Sequence, residues 1–339
     1  MRNTLNIGQI GCGYWGPNLV RNFSKIKEIE RLVVCDSDKE LLKKASSEFP
    51  AIETTESSEA IINDSSIDAV IIALPAAMHY EYARKALLAG KHIMVEKPFA
   101  MKCEEAEDLI HLGKEKGKIV MAGHTFIYNS AVRRVKQYID DGELGDIHYI
   151  FSQRLNLGRV RQDVNALWNL APHDISIILY WLDEEPSKVF AKGVSFLQEG
   201  IEDLVFVHMD FPSGKSAHIH VTWLDPLKTR KMVIVGSRKM LVYDDVSADA
   251  KIMIYDKGID KTLQDDLKHE IYDYASFHLK NRVGDVLIPK IDFDEPLKVE
   301  CRHFIECIQT GKPPLTSGEN GLKVVRVLEE AQKCLDGDK

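Results

Sequence analysis

The 339-residue chain has no Cys-x-x-Cys pair, no apolar run of membrane-spanning length, no excess of positive charge and no histidine set at metal-ligand spacing. Each absence removes a class of protein. Its six cysteines, at positions 12, 35, 103, 301, 307 and 334, stand apart as isolated thiols, which argues against a disulfide framework or a cysteine-based zinc module. With no secretory pattern at the N-terminus, they set the expectation of reduced thiols in a cytoplasmic protein. The longest apolar stretches, such as 69–77 and 175–182, fall short of the ~20 residues a membrane helix needs, so no membrane partner is expected. A formal net charge of −8 argues against nucleic acid or an anionic bilayer as partner, although a local basic patch can still bind a phosphorylated metabolite. None of the 12 histidines has acidic or cysteine partners at ligand spacing, and no metal site is expected. Internal repeats and low-complexity segments are also absent. What is left, 45% hydrophobic and 28% charged, is the composition of a globular chain of about two domains.

What is present is concentrated near the start. Gly11-Cys12-Gly13-Tyr14-Trp15-Gly16 forms a Gly-x-Gly-x-x-Gly turn directly after the apolar run Leu5 to Ile10. In a strand-to-helix turn the first glycine permits the tight bend, the second lets backbone approach a pyrophosphate, and the third allows close helix packing. Pro17 suits the first helical turn. Glycines alone are weak evidence, but Asp36 closes a second apolar run, Leu32 to Cys35, at the distance where a carboxylate accepts both ribose hydroxyls of an adenosine. That carboxylate would repel a 2′-phosphate, and neither Ser37 nor Asp38 supplies a cation, so the pattern favours NAD over NADP. A turn-capping role for Asp36 is the plainer alternative.

The fold expected is α/β followed by α+β. Up to about Gly123, β-branched runs alternate with helical segments, the signature of a doubly wound Rossmann domain spanning residues 1–123. Strands are expected at 5–10, 31–35, near 52, at 69–74, 92–96 and 119–122. Residues 124–296 read as a second domain for substrate binding and oligomerisation. It carries a helix at 130–141, a strand at 147–155, a helix at 172–182, and then short strands forming a large, mostly antiparallel open sheet. The tail, 297–339, reads as helices packing back on the first domain.

Ligands in open α/β sheets collect beyond the carboxyl ends of the strands. Leu74, Pro75 and His79 fall there after the fourth strand, and Glu96-Lys97-Pro98 after the fifth. A lysine in that crevice can exchange a proton with a substrate hydroxyl if its pKa is lowered towards neutrality; it is equally compatible with a solvated strand end. Asn169 and His173 in Trp168-Asn169-Leu170-Ala171-Pro172-His173-Asp174 are four apart, and share a face if the helix starts early enough. A histidine can accept a hydroxyl proton and an asparagine can orient a sugar hydroxyl, though such a histidine is more often structural. Arg154, Arg159 and Arg161 offer partners for a diphosphate or a carboxylate. Tyr128 and Asn129 are further pocket candidates, and His218 and His220 share one strand face.

The glycine turn, Asp36, Glu96-Lys97-Pro98 and Trp-Asn-x-x-x-His together resemble the Gfo/Idh/MocA oxidoreductase family over essentially the whole chain. The resemblance implies a nicotinamide-dependent oxidoreductase of sugars or polyols, with Lys97 in the active site and His173 assigned to proton transfer. It implies NAD contacts from Gly11, Gly13, Tyr14, Trp15, Gly16, Asp36, Leu74, Pro75, His79, Glu96 and Lys97. Substrate contacts are expected from Lys97, Tyr128, Arg154, Arg159, Asn169 and His173. Many members place aspartate where this chain has Asn169. The asparagine is similar to the pattern of nucleotide-sugar 3-dehydrogenases, which oxidise C3 of UDP-N-acetylglucosamine or its uronate, and its neutrality shifts the role of base towards Lys97. Alternatives are a keto-sugar reductase, an inositol or polyol dehydrogenase, and a non-catalytic dinucleotide-binding regulator. A homo-oligomer, dimer or tetramer, is expected through the open sheet.

Overall fold

The computed structural model describes residues 4–261 and 279–337. Six strands, β1 (Leu5–Ile10), β2 (Ile29–Cys35), β3 (Glu53–Thr55), β4 (Ala69–Ile72), β5 (His92–Glu96) and β6 (Val120–Gly123), pair in parallel in the order β3-β2-β1-β4-β5-β6. This is the doubly wound dinucleotide order, with its switch point between β1 and β4. The connecting helices are α1 (Gly16–Phe23), α2 (Lys39–Glu48), α3 (Ser58–Ile62), α4 (His79–Leu88) and α5 (Cys103–Lys116). Local chemistry sets their ends. Asp38 accepts hydrogen bonds from the N–H groups of Glu40 and Leu41 and so starts α2, while Gly117 stops α5 in the left-handed conformation at φ 61°.

Alternating residues along these strands feed two separate cores, which is why the strands read as continuous apolar runs. Val33, Val70, Ile72 and Val95 pack on one side with Leu87 and Leu109, while Leu32, Val34, Ile71 and Met94 pack on the other with Leu19 and Phe23.

The second sheet has the order β14-β13-β12-β11-β7-β10-β9-β8. After α6 (Ser130–Asp140) come β7 (Ile147–Leu155), α7 (Ala166–Leu182), β8 (Lys188–Val194), β9 (Leu204–Asp210), β10 (Ser216–Thr222), β11 (Thr229–Gly236), β12 (Met240–Asp244), β13 (Ile252–Lys261) and β14 (Leu279–Leu287). Only the β7–β10 ladder is parallel, so the sheet is mostly antiparallel as expected. Val205, Val207, Ala217, Ile219, Ile234 and Leu241 are buried on one face, whereas Phe190, Phe206, His218 and Tyr149 are exposed. Finally α8 (Pro296–Thr310) packs on α1, and α9 (Gly318–Gly337) on α5 and β6.

The chain divides into two compact units. The first comprises 1–130, 167–179 and 293–339, the second 131–166 and 180–292. Residues 124–130 and 167–179, assigned by their position in sequence to the second domain, are thus built into the first unit. Helix α7 also begins at Ala166, six residues before the expected start at Pro172, which lies inside it. A proline removes only the N–H that would reach back to the carbonyl of residue 168, and the apolar face carried by Leu167, Ala171, Ile175 and Ile178 continues through it.

Candidate active site

Each glycine of the turn meets a different constraint. Gly11 has φ 102°, and a Cβ there would lie 2.3 Å from the Ala73 carbonyl oxygen. At Gly16 a Cβ would lie 2.6 Å from the Gly11 carbonyl oxygen and 3.1 Å from Gln9 Nε2. Gln9 itself clamps the turn, its Nε2 donating to the carbonyls of Gly11 and Gly16. A Cβ on Gly13, by contrast, would meet nothing within 4 Å. The protein's own packing demands the first and third glycines and leaves open space over the second. Asp36 accepts from the Cys12 N–H at 2.6 Å and the Asp38 N–H at 3.0 Å. A carboxylate has about four lone-pair sites, so capacity for ribose hydroxyls persists. Space above Gly13 and a carboxylate beside it fit a dinucleotide: Gly11 to Gly16 would hold the pyrophosphate and Asp36 the adenosine ribose. Tyr14 is 83% exposed on this turn.

Trp15 connects the turn to the end of β5. Its indole N–H donates to Glu96 Oε1 at 2.8 Å, and the Lys97 N–H donates to Glu96 Oε2 at 3.3 Å. Gly123, opposite Glu96 in the β5–β6 ladder, makes room, since a Cβ there would sit 3.2 Å from the Glu96 carboxyl carbon. Burial pushes the Glu96 pKa up to about 7, against the opposing pull of the Lys97 charge and the two N–H donors. Lys97 Nζ donates to the backbone carbonyl of Asn169 at 3.0 Å. That bond ties the lysine to the helix carrying Asn169 and His173, which the early start of α7 places on one face. The His173 ring packs against Phe126 with centroids 4.8 Å apart, and both residues are half-buried. Lys97, Asn169 and His173, named from sequence, therefore belong to one unit and one neighbourhood.

Two named residues sit differently from expectation. His79 is 1% exposed, with Nδ1 2.7 Å from the Pro98 carbonyl and Nε2 2.8 Å from the Leu74 carbonyl. Enclosed between these two carbonyls, the ring braces the segments after β4 and β5 and presents no atom to a cofactor. Tyr128 is 2% exposed, its hydroxyl 3.0 Å from Thr316 Oγ1 and its ring against His303, which makes it a core residue rather than a pocket wall. Leu74 and Pro75 do lie at the carboxyl end of β4, half-buried and exposed respectively.

Arg154, Arg159 and Arg161 belong to the second unit. Arg154 is buried in β7, Arg159 is exposed, and Arg161 makes a two-bond pair with Asp163.

Sequence reasoning missed a buried polar group behind Glu96. Glu300 on α8 accepts from Thr125 Oγ1 at 2.6 Å, and its Oε1 has no partner among the described residues. Burial and the Glu96 charge push its pKa well above the usual carboxylate range. His124 is also buried; its Nδ1 lies 2.8 Å from Asn320 Oδ1, and burial aided by the Lys97 charge pushes its pKa down to about 4. One signal for Glu300 was available. It shares a helical stripe with the apolar residues Leu297, Cys301 and Phe304, where a solvated glutamate has no place.

A doubly wound sheet with this glycine turn, a carboxylate at the end of β2 and a lysine at the carboxyl end of β5 fits a nicotinamide-dependent dehydrogenase. Known proteins agree. The model of the oxidoreductase family with an NAD-binding Rossmann fold matches residues 5–124, and that of the GFO/IDH/MocA C-terminal domain matches 132–242. The chain belongs to the Gfo/Idh/MocA oxidoreductase family. It is similar to the UDP-N-acetylglucosamine 3-dehydrogenase of Acidithiobacillus ferrooxidans, with 25% identity over 80% of this chain and 88% of that protein. The solved structure of that enzyme superposes with a TM-score of 0.79 at 22% identity, covering 98% of each chain. The myo-inositol 2-dehydrogenase of Thermotoga maritima is 21% identical over 98% of this chain and 96% of its own. GenD2 from gentamicin A biosynthesis, solved in complex with NAD, shares the fold with a TM-score of 0.82 at 19% identity, covering 99% of this chain and 95% of that one. Among the described residues no helix is long and apolar enough to cross a membrane.

Proposed function

We propose that the chain oxidises a secondary alcohol of a nucleotide sugar, at C3 of a substrate such as UDP-N-acetylglucosamine, with NAD as the oxidant. The observation that carries the proposal is the placement of Lys97, held by the Asn169 carbonyl beside Glu96 and on the helix that bears His173. Lys97 as the neutral amine, its own proton given up first, takes the hydroxyl proton, and His173, on the helix whose Asn169 carbonyl holds the lysine, shares or relays it. NAD, which Gly11 to Gly16 and Asp36 would hold, would supply the hydride acceptor for the same carbon. Glu96, close to its own titration point near neutral pH, sets the charge beside the lysine. Asn169 keeps residue 169 neutral and able to orient a sugar hydroxyl or acetamido group. The similarity to a UDP-N-acetylglucosamine 3-dehydrogenase supports this choice of substrate. The similarity to an inositol dehydrogenase favours a second reading, a free polyol oxidised by the same residues. We place the enzyme in the cytoplasm, as a homo-oligomer joined through the open sheet.

A thermal-shift and turnover screen separates these substrates, because a ligand that binds the folded state raises its apparent stability. With NAD present, UDP-N-acetylglucosamine or its uronate is expected to shift the melting temperature and to generate reduced cofactor. Turnover of free inositol with no response to UDP-sugars would replace the nucleotide-sugar reading by the polyol one.

A further inference from the structure

Gln9 lies beneath the glycine turn, and neither the glycine pattern nor the alcohol chemistry gives it a role. It stands in β1 between Gly8 and Ile10, opposite Val34 of β2 and Ile71 of β4, and is 0% exposed. A strand covered on both faces by helices ordinarily carries an apolar residue at such a place. The Gln9 amide Nε2 lies 2.9 Å from the Gly11 carbonyl oxygen and 3.1 Å from the Gly16 carbonyl oxygen. Both of those oxygens only accept, so the end of the amide under the turn is its NH2 group. The other end, Oε1, is buried with no hydrogen-bond partner among the described residues. An apolar side chain of the same size would carry no such orphan, but it would leave the turn without its two donors.

Those donors bridge the two ends of the turn. The peptide bond after Gly11 is gripped at both edges, its carbonyl oxygen by Gln9 and its N–H, that of Cys12, by Asp36 Oδ2 at 2.6 Å. The second carbonyl belongs to Gly16, which opens α1. Part of the demand for the third glycine comes from this clamp, since a Cβ at Gly16 would lie 3.1 Å from Gln9 Nε2. Between the two anchored ends, a Cβ on Gly13 would meet nothing within 4 Å. We propose that Gln9 is a positioning residue for the dinucleotide: its NH2 group, bonded to both ends of the turn, holds Gly11 to Gly16 in the shape that receives the diphosphate before a ligand arrives. The proposal rests on the reading of this turn as the diphosphate site. Preorganisation spares the ligand the ordering of the loop, and so it is felt as affinity by ligands that reach the turn. The ribose contact is held separately, because Asp36 also accepts from the Asp38 N–H at 3.0 Å.

The test is displacement of NADH fluorescence from the full-length chain by NAD, by ADP-ribose and by adenosine, which has the ribose but no phosphate. Gln9→Met is the variant, because it keeps the size of the side chain and removes both donors. It is expected to bind NAD and ADP-ribose about tenfold more weakly than wild type, and adenosine within about twofold of wild type. Unchanged affinity for NAD and ADP-ribose overturns the proposal. So does a loss shared in equal proportion by adenosine, which would make Gln9 a general support of the fold. Wild type binding ADP-ribose no more tightly than adenosine would remove the diphosphate from this turn, a failure of the underlying reading that is recognised without the variant and that takes the proposal with it. None of these outcomes depends on which sugar is oxidised.

Discussion

The crevice of the first unit and the open face of the second sheet each gather histidines, carboxylates and aromatic rings, and burial makes them chemically different. At the crevice, Glu96, Glu300 and His124 are enclosed, and their pKa values are pushed up, up and down respectively, each towards the uncharged form. On the open sheet, the part-exposed Asp210 carboxylate pairs with the His208 ring. Enclosure drives the crevice groups towards their uncharged forms.

The strongest test of that contrast is Lys97→Ala. It is expected to lower turnover by roughly 10²–10⁴ while leaving NAD affinity intact, because general-base catalysis supplies about that factor. Near-normal turnover in steady-state assays would remove the lysine from the mechanism. Next in size, Gly11→Ala is expected to destabilise the fold by at least about 1–3 kcal/mol, through its positive φ and the collision with the Ala73 carbonyl. Gly13→Ala should change stability by less than about 0.5 kcal/mol in chemical denaturation yet weaken NAD binding, since its Cβ points into space the protein leaves free. If both variants lose stability equally, the assignment of that space to the pyrophosphate is wrong.

A smaller effect is spectroscopic. The indole N–H resonance of Trp15 is expected to titrate with a midpoint near pH 7, moving downfield as pH rises, because Glu96 ionises and a charged acceptor makes the stronger bond. Glu96→Gln should abolish the titration. The linked stability change has a definite sign. A carboxyl whose pKa is raised on folding favours the folded state below its unfolded value near 4.5, and that contribution is lost as pH rises through about 7. Smallest of all, Arg161→Ala should cost no more than about 1 kcal/mol in denaturant titrations, because its pairing with Asp163 is part-exposed.

The first unit was legible from sequence because its periodicities are strong and its special residues cluster at strand ends. Leu5–Ile10 and His92–Glu96 carry the strand limits that the apolar runs predict. Pro172 misled, since a proline inside a helix and one at its start look alike without the packed face that holds the interior case together. Glu300 and His124 stayed hidden for another reason. Their partners, Thr125 and Asn320, lie 175 and 196 residues away in the chain, and a lone acidic or imidazole side chain signals nothing until tertiary packing encloses it. His79 and Tyr128 failed in the opposite sense. Position after a strand put them near the crevice, but only the fold reveals that their polar atoms are already satisfied.

The acceptor that holds Lys97 is a main-chain carbonyl, not a side chain. Position 169 can therefore exchange asparagine for aspartate without surrendering the lysine's anchor. Charge beside the substrate and geometry at the base are independent variables in this architecture. On the proposed mechanism, one substitution there would change the charge of the pocket while the proton acceptor stays in place.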